Sequence, residues 1–189
     1  LVSNSDLHIN GISLMALGTP IAGITDDIDG DSRDAVTPDI GADEFMPLLL
    51  DAGITQFDEP SATTLPGIQN VSVSIFNFGS TDLVSADIAW TVDGIPQSTY
   101  SWTGSLPFTN SEDSVLLGTA NLSAGIHYLK AWTESPNGSS DLNNNNDTTE
   151  HSIYICDGGV KGVYTVGLTG DFHQINDAVE YMKTCGIDR

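Results

Sequence analysis

The stretch Asn70–Phe76, NVSVSIF, decides the fold class. Val71, Val73 and Ile75 fall on one side of an extended chain while Ser72 and Ser74 fall on the other, the period-2 pattern of a half-buried strand. ADIAWTVDG at 86–94 repeats the pattern, with Ile88, Trp90 and Val92 opposite Asp87, Ala89, Thr91 and Asp93. Turn signals recur on either side: Asn77 to Gly79, Asp93-Gly94, Ser123 to Gly125 and Asn137-Gly138.

Working outward, further strands are expected in STYSWTG (98–104), DSVLLGT (113–119), IHYLKAWTE (126–134) and HSIYIC (151–156). Seven short strands over roughly 105 residues predict a mainly β chain built on an immunoglobulin-like β-sandwich across 50–156. Trp90, alternating with apolar neighbours, is expected to be its packed tryptophan. Before the sandwich, residues 1–49 carry short apolar stretches, DLHI and ISLMAL, and then a Gly- and Asp-rich tail too small to hold a core of its own. After it, 157–189 predicts a strand in GVYTVG and one C-terminal amphipathic helix, with Phe172, Ile175, Ala178, Val179 and Met182 forming an apolar stripe. Lys183 and Gly186 fit that helix's C-terminal end.

The 189 residues contain 5 Lys plus Arg against 26 Asp plus Glu, a formal net charge of −21. Such a surface repels phosphate backbones, so nucleic-acid binding is excluded, and it favours divalent cations. No apolar run reaches the 18 or so residues of a membrane span, and no membrane insertion is expected. Acid-dominated charge with abundant Ser, Thr, Asn and Gly suits a secreted or cell-surface β-protein. The opening on Leu1 and the end at CGIDR read as cuts through a longer polypeptide.

Signatures of chemistry are sparse. The chain has no phosphate loop, GxSxG, HExxH or CxxC, and His8, His127, His151 and His173 show no metal-ligand spacing, so the expectation is a chain that is not an enzyme. In DDIDGDSRD, Asp27, Asp29 and Asp31 alternate around Gly30, so three hard carboxylates could meet on one Ca2+. The competing reading is local turns through the carboxylates, with Arg33 neutralising one of them. Asp141, Asn143, Asn145 and Asp147 offer a second alternating set, against the ordinary reading of a strand-connecting loop. Tyr100, Trp102 and Trp132 would form a sugar-stacking platform if coplanar and exposed, and otherwise belong to a core or interface. Cys156 and Cys185 either form a disulfide, closing a loop of about thirty residues at ~3–4 kcal/mol, or remain thiols.

Two flanking pieces carry a resemblance. DLHI with DDIDGDSRDAVTPDIGADEF (26–45) is similar to the closing rung and tail of a pectate-lyase-like parallel β-helix, and GVYTVGLTGDFHQINDAVEYMKTCGI (162–187) to the opening of another. Between them NVSVSIFNFGSTDL, ADIAWTVDG, SAGIHYLKAWTESPNG and DLNNNNDT resemble CARDB, the cell-adhesion-related domain found in bacteria, within large secreted proteins of Bacteroidetes-type bacteria. The resemblance implies short flanking β-helix-like segments at 1–49 and 157–189. It implies a noncatalytic structural or adhesion module whose partners are neighbouring domains of the same polypeptide. The alternative is a carbohydrate-binding accessory module, with polysaccharide or cell-surface partners, of a polysaccharide-degrading β-helix protein.

Overall fold

The computed structural model describes residues 14–158 and 161–187. The DLHI stretch, His8 and the first residues of ISLMAL lie outside them. The chain divides into two compact units, Leu1–Leu48 and Leu49–Arg189.

The second unit is the β-sandwich. Its first sheet pairs β1 (Ala52–Glu59), β3 (Gly67–Asn77) and β7 (Ser111–Leu122) in the order β1-β3-β7, antiparallel throughout. The second runs β2 (Thr63–Thr64), β9 (Thr148–Ile155), β8 (Gly125–Glu134) and β4 (Leu83–Val92). On the edge of β4 away from β8 lie both β5 (Ile95–Pro96) and β6 (Tyr100–Leu106). The alternation in the sequence produces this directly: Val71, Val73 and Ile75 from one sheet meet Ile88, Trp90, Leu129, Ala131 and Ile153 from the other in one apolar core. Trp90 is buried as expected and donates its indole N–H to the Ser98 carbonyl at 3.0 Å.

Two features exceed the alternation. Ser72 and Ser74, on the face expected to be solvated, are also buried, and Ser74 Oγ donates to Asp58 at 2.9 Å. Asp58 also accepts the Gln56 amide at 2.7 Å and the Ser114 backbone N–H at 2.9 Å, so a carboxylate covers the outer side of β3. At the end of β3, buried Asn77 donates to the carbonyls of Thr81 and Leu106 and accepts the Gly79 N–H, closing the turn into β4.

The segment after β9 packs on the sandwich within the same unit. Its helix α1 (Ile175–Cys185) opens with a reciprocal capping box between Gln174 and Asp177 and ends at Gly186, with φ +78°. The expected stripe holds in part: Phe172, Ala178 and Met182 lie in the contact with Ile126, Tyr154 and Cys185, but Ile175 is 72% exposed and Val179 36%, and Tyr181 is buried in their place. The tyrosine wins because its hydroxyl finds a partner, the Ile155 carbonyl at 3.0 Å, while its ring packs near Tyr154 and Phe172. The strand expected in GVYTVG is reduced to a single parallel bridge, Val166 to Phe172. In the first unit, the described residues form turns and one antiparallel bridge, Asp26 to Ser32.

Candidate functional site

Two acidic groups stand out, one in each unit. In the first, the Asp27 carboxylate organises the turn: Oδ1 accepts the backbone N–H groups of Asp29 and Asp31, each at 2.9 Å, and Oδ2 accepts that of Glu44 at 3.0 Å. These bonds, foremost that from Glu44, hold its pKa below the ordinary carboxylate value against an opposing contribution from burial. Carboxylate oxygens of Asp27, Asp29 and Asp43 lie within 4.8 Å of one another. The third member is therefore Asp43 and not Asp31. The Ile28 N–H bonds the Ala42 carbonyl at 3.0 Å and carries Asp43 back beside the turn, while Asp31 is tied to Asp27 through its backbone. Arg33 pairs with Glu44 at 3.4 Å and donates to the carbonyls of Gly41 and Asp39.

The second group lies where the loop between β8 and β9 meets the start of β1. Asp141 accepts the Ala52 N–H at 2.9 Å and the Asn143 N–H at 2.8 Å. Asp51 accepts the side-chain amides of Asn146 at 2.8 Å and Asn143 at 3.3 Å. The backbone carbonyl of Asp147 accepts the N–H groups of Ile54 and Thr133, so this residue is anchored to both sheets. Gly53 permits the approach: a Cβ there would collide with the Asn146 backbone oxygen. Asp147 is 7% exposed and its Oδ1 has no hydrogen-bond partner; neither has the buried Oδ1 of Asn146. Burial first, then the charges of Asp141 and Asp51, push the Asp147 carboxyl up to about 7. Asp51 is also raised, by burial and by Asp141, against the two asparagine amides. Beside the group opens a cleft of about 540 Å³ lined by Trp132, Glu134, Asp141, Asn144, Asp147 and Thr148.

Of the alternating set, Asp141 and Asp147 belong to this group and Asn143 supports it. Asn145 does not enter it; its amide donates to the Asn143 side-chain oxygen at 3.3 Å. Asp51 and Asn146 were missed, Asp51 because it lies some ninety residues upstream and Asn146 because it breaks the alternation.

The aromatic platform does not form. Trp102 is 2% exposed in the core and donates to Glu112 at 3.2 Å, Tyr100 is 36% exposed, and Trp132 is half-buried with its indole bonded to Glu134 at 2.7 Å. Register explains the failure: Trp102 pairs with Ala86 on the inner side of β4 and Trp132 with Ala89 on the outer side.

The cysteines form a disulfide, Cys156–Cys185, with Cα atoms 5.4 Å apart. His173 stacks on Tyr128 at 4.5 Å and Tyr128 donates to Asp177 at 2.9 Å. Burial and Asp177 push the Tyr128 hydroxyl up to about 12, which keeps it a donor. His127 bonds Asp93 at 2.7 Å, and His151 packs on Phe57. No helix among the described residues is long and apolar enough to cross a membrane.

No family model matches this sequence, and no curated protein matches it. Among solved structures, the chain is similar to a CARDB domain from Pyrococcus furiosus crystallised in complex with di-metal ions, at 16% identity and TM-score 0.44, over 59% of this chain and 94% of that one. It is also similar to a domain named for a cell surface protein of Methanosarcina acetivorans, at 21% identity and TM-score 0.48, over 61% of this chain and all of that one. The sandwich assignment rests on the strand pairing of this chain itself.

Proposed function

We propose that this chain is a noncatalytic module of a large secreted or cell-surface protein, which holds neighbouring parts of the same polypeptide at a fixed spacing. The clamp on α1 is the observation that carries the reading. A disulfide and the Tyr181–Ile155 and Tyr128–Asp177 hydrogen bonds join the helix to β8 and β9, and the Tyr128–His173 stack ties down the residues just before it. A lone eleven-residue helix is marginal in water, so this many ties serve to fix its orientation. The disulfide suits an oxidising, extracytoplasmic setting. His127, Asp27 and Asp141 hold turns and loops together. In the first unit, Asp27, Asp29 and Asp43 present hard oxygen donors suited to calcium, which would stiffen a segment poor in strands.

Nitrogen-15 relaxation of the full chain, oxidised and reduced, tests the spacer reading. The oxidised protein should show α1 tumbling with the sandwich, and reduction should loosen α1 while the strands keep their order. Independent motion of α1 in the oxidised protein would sink the proposal. Calcium in the first unit predicts a melting temperature higher in calcium than in chelator, lost in Asp27→Asn.

A further inference from the structure

We propose that the cleft beside the β8–β9 loop receives the guanidinium of an exposed arginine on a partner protein, stacked on the Trp132 indole and held by the carboxylates that line the same cleft. This goes beyond spacing, since it gives the module a contact outside its own polypeptide. The cleft, of about 540 Å³, joins one aromatic ring to three acids, Glu134, Asp141 and Asp147, and the rest of its lining is serine, threonine and asparagine. No lysine, arginine or histidine lines it. Lys130, on the same face of β8 as Trp132, is paired with Glu150 at 3.3 Å.

The ring is available where the other two tryptophans are not. Trp90 and Trp102 are buried in the core, whereas Trp132 is half-buried on the outer side of its sheet and belongs to none of the aromatic pairs of the described residues. Its indole N–H donates to Glu134 Oε1 at 2.7 Å, which fixes that carboxylate at the edge of the ring and leaves it further lone pairs. A planar, weakly hydrated guanidinium lies on an indole face and donates in its own plane to carboxylates. An ammonium, a compact and strongly hydrated charge, matches that pairing less well.

The second observation is Asp147, which lines the cleft although it is more than nine-tenths buried, and whose Oδ1 has no hydrogen-bond partner. Buried acceptors without partners are rare in folded proteins. Its carboxyl is raised to about 7, by burial first and then by Asp141 and Asp51, with no cation of the protein opposing the shift. A cation entering the cleft supplies the charge that the chain itself does not. The net charge of −21 steers basic partners toward such a site and repels acidic ones.

The test titrates the full chain with a short acetylated and amidated peptide carrying one arginine among glycines, and with its citrulline and lysine counterparts. The indole N–H resonance of Trp132 and the backbone amides of Glu134, Asp141 and Asn144 should shift together, while the indoles of Trp90 and Trp102 stay in place. Citrulline keeps the shape of arginine without its charge and should bind at least about tenfold more weakly. The lysine peptide should be weaker by about threefold or more. Trp132→Ala, read on the backbone amides, should weaken the arginine peptide by about threefold or more. Glu134→Gln, which keeps an acceptor for the indole N–H, is the second variant, with a loss of the same sign. Equal binding of the citrulline or lysine peptide, wild-type affinity in either folded variant, no shift at millimolar arginine peptide, or shifts spread evenly over the acids of both units would overturn the proposal. So would a neutral glucose oligosaccharide that moves the Trp132 indole where the arginine peptide does not.

Discussion

Trp102 and Trp132 stand on opposite faces of one sheet, their partners on β4 being Ala86 and Ala89. An odd separation along the shared strand places one indole in the core and the other on the outer face. Trp102→Ala should therefore remove about 3–5 kcal/mol of stability, the range for truncating a buried aromatic. Trp132→Ala should cost about 1 kcal/mol or less. Urea midpoints at equal m-value measure both. Similar losses from the two variants would contradict the register.

Asn77 satisfies three backbone groups with one buried side chain, the carbonyls of Thr81 and Leu106 and the N–H of Gly79. Asn77→Ala leaves these groups without their side-chain partner where water reaches poorly. A loss of about 3 kcal/mol is expected, larger than for an exposed turn asparagine. Thermal melts of the variant beside Asn110→Ala, an exposed turn residue, make the comparison, and equal shifts would refute it.

How much of this was legible follows from the range of each signal. Strand positions were readable in NVSVSIF and ADIAWTVDG because alternation is a property of one strand, needing no knowledge of its partner. Which face two different strands share depends on register, so Tyr100, Trp102 and Trp132 looked like a set and are not. The same limit governs the acids. Asp27 and Asp29 were found within one turn, but Asp43 joins them through the Ile28–Ala42 hydrogen bond, and Asp51 reaches Asp141 only because β1 starts beside the β8–β9 loop. Cys156 and Cys185 were visible as a pair, while their separation waited on the docking of α1. The apolar stripe of α1 placed Phe172, Ala178 and Met182 in the contact but also included the exposed Ile175 and Val179, and it left out Tyr181, whose hydroxyl finds the Ile155 carbonyl.

Gly53 lies under the loop that carries Asn146 and Asp147. A methyl group there meets the Asn146 backbone oxygen and lies 3.1 Å from the Phe78 ring, so either the loop or β1 must shift. Gly53→Ala should cost about 1–3 kcal/mol in chelator, as overpacking does. It should also perturb the amide resonances of residues 143–147. A variant as stable as the parent with an unchanged spectrum would show that the loop lies farther from β1.

His151 gives the pH dependence a definite sign. Its ring packs 5.8 Å from that of Phe57, its Nε2 is buried without a partner, and burial lowers its pKa from 6.5 against the opposing hydrogen bond to the Pro60 backbone. Between the folded value and 6.5 the unfolded chain binds more protons, so stability rises with pH in that window. The contribution is complete above 6.5 and is lost as the pH falls through the folded value. His151→Phe keeps an aromatic contact with Phe57 and removes the proton site. Denaturant midpoints of parent and variant from pH 7.5 down to 5 should diverge on acidification, the parent losing more, since every other titrating group is common to both. Curves that stay parallel across that interval would show that His151 titrates at the same pH folded and unfolded.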